Sequence, residues 1–143
     1  MSDQLDLTSL RNALGSFDQS LAVVADRGWF ERQSAPVRRT LIAGTIQNFE
    51  FVYELCVKML RRQLELEAAS PTEVDESSFR DQMRAAGEKG LIADVEAWFG
   101  YRRMRNLTSH TYDENKAAQV LELCAPFARS AHALIAALEA RHG

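Results

Sequence analysis

Cysteine is almost missing from this 143-residue chain, which has only Cys56 and Cys124. They form no C-x-x-C pair, so neither a disulfide framework nor a cysteine zinc site is indicated. Both are expected as core thiols in a reducing cytosol. Proline is equally scarce, confined to Pro36, Pro71 and Pro126, and glycine numbers 7. So few turn formers leave room for few, long helices. An excess of positive charge is also lacking: 17 Lys and Arg against 20 Asp and Glu give a net charge of −3. That excludes a global basic field for nucleic acid and leaves only a local basic cluster. No uninterrupted apolar run approaches the ~18 residues of a membrane span. Met1-Ser2-Asp3-Gln4 lacks the basic and apolar regions of a signal peptide. A cytoplasmic protein without a membrane partner is expected. There is no P-loop, no G-x-G-x-x-G and no G-x-S-x-G, so no nucleotide-cradle or nucleophile-elbow chemistry is indicated, and no cofactor is expected.

What the chain does have is helical periodicity. Leu10, Leu14, Phe17, Leu21 and Val24 recur at helical spacing and predict a first helix from Asp6 to Asp26. Arg27-Gly28 stops it, and Trp29-Phe30 fall in a short connection where large rings need cover. Ser34-Ala35-Pro36 opens a second helix, with proline in the first turn, running to Leu66. It carries two apolar stripes: Leu41, Val52, Leu55, Met59, and Ile42, Ile46, Phe49, Tyr53, Cys56, Leu60. A helix apolar on two sides is either central in a bundle or faces another subunit. Residues 68–78 read as a polar loop. A short third helix follows from Phe79 to Glu88, closed by Lys89-Gly90. Asp94 is the expected N-cap of a fourth helix through Val95, Trp98, Phe99 and Met104, ending near Ser109. Thr111 with Glu114 three residues on is a capping-box pattern that opens the last helix, apolar from Ala117 to Leu138. The expectation is all-α: a single domain over residues 1–143, built as an up-and-down antiparallel four-helix bundle with an extra short helix.

One stretch concentrates chemistry: Arg105-Asn106-Leu107-Thr108-Ser109-His110-Thr111-Tyr112, at the expected junction of two helices. Arginine stabilises charge developing on a phosphate, histidine moves protons near neutral pH, and a tyrosine hydroxyl accepts modification. On one unbroken helix Arg105 and His110 would stand about 140° apart. A break at the Thr111 cap would let His110 turn back toward Arg105. A continuing helix would instead align Arg102, Asn106 and His110 on one face. Arg102, Arg103 and Arg105 form a basic cluster suited to a phosphate or a short run of backbone. The plainer reading is that an arginine suits a helix C-terminus and a histidine before a cap bonds a carbonyl. Glu50, flanked by Phe49 and Phe51, is a candidate to reach inward and orient an arginine. Glu54 and Lys58 read as an exposed i,i+4 pair. His132 and His142 have no metal-ligand spacing with the junction, so no metal is expected.

Arg105, His110 and Tyr112, spaced as Arg-x-x-x-x-His-x-Tyr, resemble the signature of the HEPN superfamily of small helical proteins. Residues 41–55, from Leu41 through Phe49-Glu50-Phe51 to Leu55, resemble the long second helix of its nucleotidyltransferase substrate-binding family. Gly90-Leu91-Ile92, Trp98 and residues 105–113 resemble that family's C-terminal half. The likeness extends from about Leu5 to Leu138. It implies a bundle like the substrate-binding domain of kanamycin nucleotidyltransferase, a homodimer, and a separate minimal nucleotidyltransferase as partner. The Gly-Ser and paired-Asp motif of that partner is not present here, so this chain is not itself a nucleotidyltransferase. Two functions are implied. One is a toxin that cleaves RNA without metal through Arg105 and His110, supported by Asn106, Arg102 and Glu50, and silenced by AMP attached to Tyr112. The other is a non-catalytic subunit that presents a substrate to its partner.

Overall fold

The computed structural model describes residues 5–142, so the N-terminal tetrapeptide lies outside the described residues. Regular structure among them is helical throughout. The elements are α1 (Thr8–Ala25), α2 (Arg27–Glu31), α3 (Ala35–Glu67), α4 (Pro71–Glu76), α5 (Phe79–Glu88), α6 (Val95–Leu107), a 3-10 turn (Thr108–His110) and α7 (Glu114–His142). The helix starts follow side-chain chemistry. Ser34, Ser78 and Asp94 each accept a hydrogen bond from the backbone N–H three residues on, capping α3, α5 and α6. The α5 boundaries match the expected ones, and α1 and α3 differ from theirs by one or two residues.

Four longer helices, α1, α3, α6 and α7, run up and down. Arg11 pairs with Glu139 at 3.4 Å and His132 with Asp18 at 2.8 Å, so α1 ascends as α7 descends. Phe49 meets Phe127, and Glu67 meets Arg141, so α3 and α7 run the same way. The shared core is aromatic at mid-height. Phe17, Phe49, Tyr53, Trp98 and Tyr101 surround Phe127 at centroid separations of 4.9 to 6.3 Å. Trp98, Phe17, Phe49 and Phe127 are fully buried, and each large ring removes apolar area from water and adds edge-to-face contact. Cys56 and Cys124 are free and buried; burial pushes both thiols up, the latter to about 12, so neither serves as a nucleophile.

The long helix is central in the bundle, while Leu41, Ile42 and Leu55 of its two stripes stay half buried. α3 packs against α1, α4, α5, α6, α7 and the 3-10 turn, and Val52, Met59, Ile46, Phe49, Cys56 and Leu60 are all buried. Phe51 stays half exposed at 50%. Two short helices replace expected connections. Asp26 caps α2 through the Trp29 N–H, and Trp29 keeps 38% of its surface in solvent, so its cover is incomplete. Pro71 at the head of α4 pre-sets the backbone for one helical turn inside the expected polar loop. By averaged hydropathy α7 has the length and apolarity of a membrane span, contrary to the expectation from uninterrupted runs. In this fold its Val120, Cys124, Phe127, Ala131, Leu134 and Leu138 line the bundle core.

Two glycines are required by geometry. Gly90 takes φ +78°, closing α5 where a side chain would be strained. At Gly87 a Cβ would stand 2.5 Å from Cγ2 of Val95, so the absence of that atom lets the first residue of α6 settle against α5.

Candidate functional site

Arg105 occupies the last turn of α6, where a cation suits the negative helix end. Its Nη2 and Nε both donate to Oε1 of Glu54, at 2.7 and 3.2 Å. Nη1 donates to Oγ1 of Thr108 at 3.1 Å and lies 3.6 Å from Oε2 of Glu50. The buried Thr108 hydroxyl in turn donates to the Arg105 carbonyl at 2.7 Å, as helix turns to 3-10. The guanidinium is thus fixed from α3 on one side and from its own turn on the other. The Glu54 hydrogen bond, opposed by burial and reinforced by the Glu50 charge, holds its pKa above the ordinary arginine value. Beside it Tyr53 is buried, and burial pushes its phenol up to about 12 against the pull of Arg102 and Arg105. It is a packed neutral ring and not a proton carrier at neutral pH.

His110 ends the 3-10 turn and is half buried. Its Nδ1 sits 3.4 Å from the Tyr112 hydroxyl, with the rings 6.0 Å apart and steeply tilted. Tyr112 is 83% exposed, the most open of the large apolar side chains among the described residues. The helix break expected here is present, but its chemistry differs. Asp113, not the Thr111–Glu114 box, caps α7: its carboxylate accepts from the N–H groups of Asn115 and Lys116 at 2.9 and 3.3 Å. The 3-10 turn and the Asp113 N–H to His110 carbonyl bond use up the intervening residues, so the helix begins at Glu114. Tyr112 therefore lies in the turn before α7 and not in its first helical turn.

The remaining candidates divide. Glu50 reaches Arg105 as its position between two phenylalanines suggested. Arg102 does not join that ion pair; its guanidinium stacks 4.4 Å over the Phe79 ring. Asn106 is exposed on α6. Because α6 ends at Leu107, His110 leaves the face it would have shared with Arg102 and Asn106. Glu54 was expected in an exposed pair with Lys58 and is instead the nearest partner of Arg105. Glu54 and Thr108 are thus the members that sequence reasoning missed. Their signals were present: Glu54 lies one turn beyond Glu50, and Thr108 lies three residues beyond Arg105. His132 pairs with Asp18, and His142 contacts Gln63 at 2.6 Å, both away from the junction. Among the described residues no group of three or more His, Cys, Asp or Glu side chains converges as a metal-ligand set.

An all-helical bundle with an Arg-x-x-x-x-His-x-Tyr junction between its last two long helices is a HEPN-type domain. The chain belongs to the family described as nucleotidyltransferase substrate binding protein like, whose model matches residues 5–140. A Haemophilus influenzae protein named probable ribonuclease HepT is 48% identical over 120 residues, covering 84% of this chain and 82% of the relative. The solved structure of HI0074 from Haemophilus influenzae is similar with a TM-score of 0.91 and 42% identity, over 94% of this chain and 99% of that one. It is described as revealing the fold of a substrate binding domain of a nucleotidyltransferase.

Proposed function

We propose that this protein is a HEPN-type ribonuclease toxin that acts in the cytoplasm beside a minimal nucleotidyltransferase that restrains it. The observation that carries this reading is the contrast at the junction: a permanently cationic, firmly held Arg105 with a lightly held imidazole at the next turn. The relative named as a probable ribonuclease supports it. In the proposed reaction His110 takes the proton from a ribose 2′-OH as that oxygen attacks the adjacent phosphorus. Arg105 stabilises the negative charge that develops on the phosphoryl oxygens. The 5′ oxygen leaves with a proton from a second, protonated imidazole, giving a 2′,3′-cyclic phosphate and a 5′-hydroxyl. Each chain supplies one such histidine, so a twofold dimer that brings two copies of His110 together completes the acid–base pair. Tyr112 is open to solvent and its hydroxyl lies beside His110, so AMP attached there would put charge and bulk at the reacting group.

The second reading, a subunit that presents a substrate to its nucleotidyltransferase, is favoured by the family description and by that of the solved relative. Expression of the chain without its partner separates the two. The toxin reading expects growth arrest and RNA cleavage that persists in EDTA, both lost in His110→Ala. A wild-type protein that neither slows growth nor cuts RNA leaves the substrate-presenting reading. Mass spectrometry after co-expression with the partner tests the modification. The peptide carrying Tyr112 gains one or more AMP units, and Tyr112→Phe gains none.

A further inference from the structure

The site as described has one electrostatic difficulty. At its centre a single guanidinium, Arg105, faces two carboxylates, Glu50 and Glu54. That arrangement fixes a cation but draws no phosphate toward it. The attraction lies at the two flanks. On one side, a groove of about 600 Å³ between α2, α3 and α7 has Arg38 and Arg39 at its rim against one carboxylate, Glu114. Arg38 also donates to the Gln33 carbonyl, while Arg39 is exposed. The floor is apolar, with Phe30, Ile42 and Leu121, and Tyr112 forms one wall. On the other side, a polar cavity of about 420 Å³ is lined by Arg61, Arg102 and Asp75, with Tyr53 at its edge. Asp75 is hydrogen-bonded to Glu65, and Arg61 donates its Nε–H to Gln82 at 3.3 Å, so the remaining donors of Arg61 and the exposed Arg102 are the cations it offers.

These features share one strip of α3. At 100° per residue Arg39, Glu50, Glu54 and Arg61 fall within an arc of about 60°. Arg39 and Arg61 are separated by about 33 Å along the axis, with the junction between them. That length suits the short end of the roughly 4–16 nucleotides covered by single-strand sites. The two ends also differ in kind. The Tyr112 groove offers an aromatic face and an apolar floor, which an unpaired base seeks. The Arg61–Arg102 cavity is polar, and stacking on Phe79 fixes the plane of Arg102, leaving its edge donors for a phosphate.

We propose that this strip is a binding track for single-stranded RNA. An unpaired base sits in the groove beside Tyr112, with its phosphate on Arg39. The backbone crosses Arg105 and is held again by Arg61 and Arg102. The proposal rests on the ribonuclease reading and deepens it: the flanks bind, the centre reacts. A paired strand cannot place a base in the groove, so duplex RNA is a poor substrate.

The test is fluorescence anisotropy with a labelled, uncleavable 2′-O-methyl oligonucleotide across a salt series, beside cleavage of the matching RNA. Arg39→Ala and Arg61→Ala each weaken binding on the order of tenfold. Each also lowers the salt slope by ~0.7. Their double variant loses roughly the product of the two, and Ala118→Trp, which fills the groove from an exposed position, weakens binding on the order of tenfold. Circular dichroism and melting confirm that the variants fold. A double variant that binds as tightly as wild type with an unchanged slope overturns the track. So does an Ala118→Trp variant that binds RNA normally but no longer captures the nucleotidyltransferase, because the groove would then be a protein-docking surface. If the variants lose binding while wild type binds without cutting, the track stands and the ribonuclease reading falls.

Discussion

Arg105 and His110 lie five residues apart and are held in opposite ways. Arg105 is fastened by Glu54, Glu50 and Thr108, from a neighbouring helix and from its own turn. His110 sits on a 3-10 turn with a long 3.4 Å contact to a tyrosine that is itself mostly in solvent. The difference suits the two chemical duties proposed for them. A group that stabilises charge works best when its dipole is fixed before the reaction, because no reorganisation is then needed. A group that takes a proton must meet the attacking oxygen of an arriving substrate, and an imidazole with one long side-chain contact can adjust to it.

Removing either side chain tests this comparison most severely. Arg105→Ala and His110→Ala should each lower the initial rate of RNA cleavage by about 10²-fold or more. Their effects on folding should differ. Arg105→Ala leaves Glu50 and Glu54 without their shared cation and shifts the urea midpoint downward. His110→Ala stays within about 0.5 kcal/mol of wild type. Equal destabilisation by the two variants would erase the contrast.

The next largest effect belongs to the carboxylates. Glu54→Gln should lower cleavage about tenfold and Glu50→Gln less, in keeping with contacts of 2.7 and 3.6 Å. The sign of the pH dependence follows from the arginine. Its pKa is raised in the fold, so its contribution is complete below the ordinary arginine value and is lost only as the pH rises through the higher folded one. The factor lost in Glu54→Gln should therefore be constant between about pH 6 and pH 9. A factor that varies across this window, in parallel rate profiles, would mean that Glu54 acts on the proton-transfer group as well. The smallest effect is expected from Tyr112→Phe. A single long, exposed hydrogen bond contributes little, so cleavage by unmodified protein should change by less than about threefold. A larger loss would show that the phenol orients the imidazole.

Much of the bundle was legible from local chemistry. Ser34, Ser78 and Asp94 announce helix starts because a cap needs only a side chain and the next three residues. The capping box at Thr111 announced a real break but named the wrong cap, since Thr111 and Asp113 both suit the role. The 3-10 turn decided between them, and nothing in the sequence specifies it. α2 and α4 were read as connections because helices of five and six residues carry too little periodicity and are marginal without tertiary support. At the site, Arg105, His110 and Glu50 were legible by residue type and neighbours. Glu54 was not, because Lys58 offered a nearby local partner while Arg105 lies 51 positions away in sequence. Which partner wins depends on where α6 crosses α3, a distance that only the packed bundle sets.

The other end of α6 is fitted closely against α5. Gly87 leaves room for Val95 at the very start of α6, and Arg105 lies ten residues, about 15 Å, further along the same helix. Helix α6 therefore starts from a contact that a residue without a side chain at position 87 permits. A single added carbon at position 87 would meet Cγ2 of Val95 at 2.5 Å, so that side chain or the start of α6 would have to shift. The end of α6 that carries Arg105 thus begins from a close fit at the opposite end, where only the absence of a side chain at Gly87 leaves Val95 its place.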